Sequence, residues 1–220
     1  MPKKMTLDKD KARALKIQQI LKKTYPEVKT QLHHANSFQL LVSTMLSAQC
    51  TDKQVNQVTK VLFRQLKTPQ DFASAANETI EALIRPTGYF RNKAKNIKNC
   101  SKHLLDKYNG RVPQSLKELT ELPGVGRKTA NVVLGSAFNI PGMVVDTHVA
   151  RISKRLGFTD SDNAVKIEYD LMGIIPKENW NDFSLQLIYF GRDICKARKP
   201  ACPTCPLYDL CEFPDKITRA

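Results

Sequence analysis

The stretch Leu122-Pro-Gly-Val-Gly-Arg-Lys-Thr-Ala-Asn-Val-Val-Leu134, followed eleven residues on by Val145-Asp-Thr-His148, decides how this chain folds. Pro123, Gly124 and Gly126 break the backbone into a tight turn. Beyond it, Ala130, Val133, Leu134 and Ala137 recur at i, i+3, i+4 and i+7, which predicts a helix over Arg127 to Phe138. Lys128 then falls in the first turn of that helix. The backbone amides of a glycine turn and of a helix start make an anion site suited to a DNA phosphate. A cation there sits at the unfavourable end of the helix dipole, and a lysine amine that is neutral is a nucleophile. Asp146 stands just before the next apolar-periodic run, where a carboxylate caps a helix at a fixed angle.

Working outward from the hairpin, helical periodicity continues and strand alternation is nearly absent, so the chain reads as all-α. Ala14, Ile17, Ile20 and Leu21 form one stripe; Phe38, Leu41, Val42, Met45 and Leu46 a second; Val55, Val58, Val61 and Leu62 a third. A further amphipathic helix is expected from about Asn92 to Tyr108, with Ala94, Ile97, Leu104 and Leu105 facing inward. Asp52 and Asn77 are expected N-caps, like Asp146. Nothing repeats at a fixed period and no segment is of low complexity.

Across 220 residues, Lys and Arg number 35 against 21 Asp and Glu, a formal charge of +14. That excess favours a polyanionic partner, although membrane-surface and ribosomal proteins share it. Met1 to Lys16 is charged throughout and no long apolar run follows, so no signal peptide or membrane span is expected and the protein is placed in the cytoplasm. In a reducing compartment the six cysteines are not expected to form a disulfide framework. Four of them, Cys195, Cys202, Cys205 and Cys211, fall within seventeen residues as Cys-x6-Cys-x2-Cys-x5-Cys. By spacing alone this set suits zinc and an iron-sulfur cluster equally. Cys50 and Cys100 lie outside the pattern and read as buried apolar side chains.

The hairpin string with Val145-Asp-Thr-His148, the upstream Leu46-Ser-Ala-Gln-Cys-Thr-Asp52 and Gly88-Tyr-Phe-Arg-Asn-Lys-Ala-Lys95, and the closing cysteines together resemble the bacterial endonuclease III family of the helix-hairpin-helix DNA glycosylase superfamily. The resemblance covers nearly the whole chain. It implies two helical domains with a DNA cleft between them: a six-helix barrel carrying the hairpin over residues 30–140, and an iron-sulfur domain from residues 1–29 plus 141–220. It implies that Cys195, Cys202, Cys205 and Cys211 hold a [4Fe-4S] cluster that organises a loop for DNA contact. It implies a monomer, associated with the nucleoid, that removes oxidised pyrimidines from duplex DNA and nicks the abasic site.

Site roles follow from the same resemblance. Lys128 becomes the nucleophile on the sugar of an extruded nucleotide, and Asp146 the carboxylate that stabilises the cationic sugar and assists proton transfers. Gln49 fills the hole left by the flipped base, and Tyr89 is the candidate wedge. Ser47 and Asp52 are expected at the pocket, His148 near phosphate or sugar, and Gly124, Gly126 and Arg127 on the DNA backbone. Lys196, Arg198 and Lys199, between the first two cysteines, are expected against phosphates. Blander readings stand beside these: Lys128 as a solvated or phosphate-binding lysine, Tyr89 and Phe90 as anchors of the following helix, the basic trio as a solvated run. Competing functions are an adenine-excising or oxidised-purine glycosylase of the same superfamily and a non-catalytic iron-sulfur DNA-binding or redox module. Many relatives carry histidines before the cluster, whereas this chain reads Asp182-Phe-Ser-Leu-Gln-Leu-Ile-Tyr-Phe-Gly191 there.

Overall fold

A computed structural model describes residues 7–218, so the first six residues of the charged segment Met1 to Lys16 lie outside the description. The described residues contain helices and loops without strand. They divide into two compact units, Thr30–Ile140 and the remainder on either side of it.

The central unit holds α2 (Ser37–Leu46), α3 (Asp52–Gln65), α4 (Pro69–Ser74), α5 (Asn77–Ile84), α6 (Phe90–Tyr108), α7 (Leu116–Glu121) and α8 (Arg127–Phe138). Helix α2 is buried nearly all round, with Phe38 and all residues from Leu40 to Leu46 inside, Ser43 and Thr44 among them, and is therefore the helix that others surround. It packs on α3, α6 and α8, while α6 lies along α4 and α5. The Phe38 and Phe72 rings meet edge to face at 5.5 Å inside this core. Helix ends are closed locally. Asn36 accepts from the Gln39 amide, Thr68 and Asp71 form a reciprocal capping box, and α6 stops where Asn109 turns left-handed and the Gly110 amide reaches back to Leu104 O.

The outer unit holds α1 (Leu7–Thr24), α9 (Thr147–Arg155), α10 (Ala164–Ile174) and α11 (Trp180–Asp193). Ala14, Ile17 and Leu21 of α1 join Phe183, Leu187 and Phe190 of α11 and Val149 and Ile152 of α9 in a second core. Helices α9 and α11 approach closely because Gly191 has no side chain: a Cβ there would lie 2.9 Å from Ile152 Cδ1. Arg13 pins α1 to the turn after α9, donating to Leu156 O and, at 3.2 Å, to Leu210 O, with its guanidinium 5.1 Å from the Phe158 ring centroid. No helix among the described residues is long and apolar enough to cross a membrane.

Three sequence expectations need correction. The cap of α3 is Thr51, whose hydroxyl accepts from the Gln54 amide, and Asp52 is the first helical residue, where its charge favours the dipole instead. At α5 the cap position is Ala76, with no side-chain cap, and Asn77 already belongs to the helix. Val61 is 47% exposed, since six residues beyond Val55 is about one and two-thirds turns and points it off the apolar face.

Gly124 has φ of +77°, and a Cβ on it would lie 2.7 Å from Asn96 Cβ of α6. Gly124→Ala is therefore expected to destabilise the hairpin by about 1–3 kcal/mol, measurable as a lowered urea midpoint at unchanged slope.

Candidate functional site

The hairpin is pinned from below and open above. Leu122 and Val125 are buried, and the Val125 amide donates to Leu122 O at 3.1 Å, closing the turn after α7. Gly126 occupies the N-cap of α8 in an extended conformation and offers no side chain to the first turn. A Cβ on it would meet nothing within 4 Å, so the approach to that turn is unobstructed. Within the turn Arg127 is half-buried and Lys128 exposed, while Ala130 and Asn131 face the core and no acidic residue is present. This is the electrostatics of an anion site with a lysine at its lip.

Gln49 and Tyr89 flank one pocket of about 210 Å³ with Met45, Ala48, Asn92, Lys93, Asn96 and Gly124. Both are in the left-handed region, with φ of 53° and 46°, which for non-glycine residues stores on the order of 1–3 kcal/mol each. Tyr89 is 68% exposed, so it does not anchor α6. Phe90 does that, packed against the core with Arg85 and Arg91 over its ring. Ser47 caps the end of α2, its hydroxyl donating to Thr44 O at 2.8 Å, and Asp52 sits in the first turn of α3; neither is among the residues lining the pocket.

Lys93 escaped the sequence reading. It is 6% exposed, and its Nζ donates to Leu46 O and Thr87 O, both at 2.8 Å. Burial pushes its pKa down, with Cys50 acting weakly the other way. The available signal was a lysine beside Ala94 and four residues before Ile97, on the apolar stripe of α6.

In the outer unit, Asp146 caps α9. Its Oδ1 accepts from the His148 and Val149 amides, both at 2.8 Å, and Oδ2 lies 3.0 Å from His148 Nδ1. His148 thus orients the carboxylate. Further along α9, Arg151 Nη2 donates to Cys195 O at 2.9 Å, and Arg155 donates to Cys195 Sγ at 3.3 Å, Lys196 O at 2.8 Å and Ala197 O at 3.1 Å. The Phe213 ring covers Arg155 at 4.7 Å. Neither arginine was singled out in the sequence, because most of their partners are main-chain carbonyls about forty residues away.

Cys195, Cys202, Cys205 and Cys211 line one pocket with Ile152, Leu156, Phe190 and Leu207. Among the described residues no three His, Cys, Asp or Glu side chains converge tightly enough for a single metal ion. Four thiols on one cavity are a ligand set that both zinc and an iron-sulfur cluster use. The Leu207 amide, 3.4 Å from Cys205 Sγ, and Arg155 supply N–H donors toward sulfur, as an anionic cluster requires. Burial pushes the Cys205 thiol up to about 11, with smaller contributions from the other three cysteines, so thiolates here need compensating positive charge. Lys196, Arg198 and Lys199 are all exposed on this loop, and Lys199 has φ of 50°. Cys100 is buried and Cys50 half-buried against the central core. In α11, Gln186 and Tyr189 donate to Tyr25 O and Lys29 O.

Comparison with known proteins agrees with these features. The HhH-GPD superfamily of base excision DNA repair proteins matches residues 42–177, and the iron-sulfur binding domain of endonuclease III matches residues 195–211. Endonuclease III of Synechocystis is 50% identical over 91% of this chain and 92% of its own, and that of Bacillus subtilis 48% identical over 85% and 86%. A trapped endonuclease III–DNA covalent intermediate, an estranged-adenine complex, superposes with a TM-score of 0.89 at 49% identity, covering 92% of this chain and 95% of that one.

Arg155→Leu removes three donors from the Cys195–Ala197 segment. It is expected to lower stability by about 1–3 kcal/mol and to hasten iron loss to a chelator, read as the decay of visible cluster absorbance.

Proposed function

The chain belongs to the HhH-GPD superfamily of base excision DNA repair proteins and to its endonuclease III family, and on that premise we propose a residue-level route for its chemistry. The protein is a bifunctional DNA glycosylase and abasic-site lyase with a [4Fe-4S] cluster. Its substrates are oxidised pyrimidines in double-stranded DNA, and it works as a cytoplasmic monomer.

Amides of the Gly124 to Gly126 turn, together with Arg127, hold one stretch of phosphates, and Lys196, Arg198 and Lys199 hold another. Gln49 and Tyr89 enter the base stack, Gln49 meeting the orphaned base with its carboxamide and Tyr89 wedging the step. With the damaged nucleotide extruded, the Lys128 amine attacks C1′ through its nitrogen lone pair. The glycosidic bond breaks and the base departs with its electron pair and a proton. Asp146, held by two amides and His148, faces the positive charge that develops on the sugar. The nitrogen lone pair then opens the ring: the C1′–O4′ bond breaks, O4′ keeps the pair and takes a proton from water, and a protonated Schiff base remains on Lys128. Loss of a C2′ proton, assisted by Asp146, then expels the 3′ phosphate by β-elimination, and water releases the lysine. The cluster, held by Cys195, Cys202, Cys205 and Cys211, supplies a rigid iron-sulfur core for the basic loop.

The observation that carries this reading is Lys128 exposed in an unobstructed first turn free of acidic residues. Borohydride trapping on a duplex containing one thymine glycol tests it. Wild type should give a covalent adduct and Lys128→Ala none, with duplex binding and cluster absorbance retained. Asp146→Asn keeps an N-cap acceptor, so its Tm should change little while turnover falls by about 10²–10⁴-fold. Full lyase activity in Lys128→Ala would overturn the assignment.

A further inference from the structure

Lys93 has no part in that route, yet its placement is unusual. A lysine 6% exposed normally needs a carboxylate, and here the ammonium is shared between two main-chain carbonyls from separate parts of the chain. Leu46 O belongs to the last residue of α2, where the helix dipole is negative and a cation is favourable. Thr87 O belongs to the short 3₁₀ turn that ends α5. Each carbonyl lies just ahead of an exposed residue held at positive φ: Gln49 three positions after Leu46, Tyr89 two positions after Thr87. Lys93, Gln49 and Tyr89 also line the same pocket.

We propose that Lys93 is a positioning residue that fixes the Gln49 loop against the Tyr89 loop, so that the two side chains meet a duplex as one preformed wedge. This rests on the reading that both loops enter the base stack. Backbone in the left-handed region persists only where surrounding contacts over-determine it, and an ammonium that ties the end of α2 to the 3₁₀ turn, the two points from which these loops depart, is such a contact. A methionine in its place fills the same volume but bridges nothing. The two loops are then free to move apart, and the entropy of aligning them falls on the binding step.

The test compares wild type with Lys93→Met, and with Lys93→Gln as a shorter polar variant should the methionine form fold poorly. Two probes are used: a duplex with 2-aminopurine opposite a tetrahydrofuran abasic analogue, whose fluorescence rises when the opposite base unstacks, and a single-stranded oligonucleotide with a true abasic site, which offers no base pair to open. Nicking of duplex substrate should fall by about 10- to 100-fold and the 2-aminopurine rise should shrink, while borohydride trapping on the single strand falls much less. In a Gln49→Ala/Tyr89→Ala background, Lys93→Met should add little further loss, since it acts through those side chains. Equal loss on both substrates, undiminished duplex nicking, or full additivity in the double background would each overturn the proposal. A wild-type protein that trapped normally but raised no 2-aminopurine signal would overturn the insertion reading beneath it, leaving the lysine chemistry intact.

Discussion

A helix cannot end without leaving backbone groups that need partners, and this constraint organises the molecule. Most of its helix starts are closed by their own neighbours: Asn36, Thr51, Thr68, Ser115, Asp146 and Asn163 each accept from an amide one turn in. At α8 the cap position is a glycine with open space before it. At the opposite pole, the carboxyl end of α2 is closed by Ser47, whose amide and hydroxyl bond back to Ser43 O and Thr44 O, and by a lysine from another helix on Leu46 O. The starts of α5, α6 and α11 likewise carry no side-chain cap, so what sets α8 apart is the glycine with open space before it.

Helix α9 shows the same economy along its length. It begins with a carboxylate whose orientation is set by two amides and an imidazole. Its last residue is an arginine that grips a thiol and two carbonyls of the cysteine loop. Helix α11 packs against it through Gly191, so α9 is seated in a core rather than on a surface. A carboxylate on a seated helix loses little entropy when it meets its charge, which is what preorganised stabilisation requires.

The hairpin, the all-helical architecture and the bounds of α8 were legible because glycine punctuation and a 3.6-residue apolar period are local signals. The cysteine loop was legible for a related reason: four like ligands in a short span have few structural explanations. Caps were read one residue late at α3 and α5, where Thr51 and Ala76 precede the more conspicuous Asp52 and Asn77. Lys93, Arg151 and Arg155 were not legible at all. A cation that bonds to carbonyls needs no acidic partner in the sequence, and carbonyls are present at every residue. Spacing likewise left zinc and a cluster level; the match of residues 195–211 to the iron-sulfur binding domain of endonuclease III separates them.

The left-handed backbone at Gln49 and Tyr89 has a consequence for anyone seeking a more robust version of the protein. Glycine holds that backbone without the Cβ clash, so at both positions it would relieve strain while deleting a side chain at the pocket rim. On the proposed insertion of both side chains into the base stack, the folding optimum and the working residue differ there, and both sites trade durability against performance. Stability-guided redesign applied uniformly along the chain would choose these two positions early, and would yield a hardier molecule with a blunted edge.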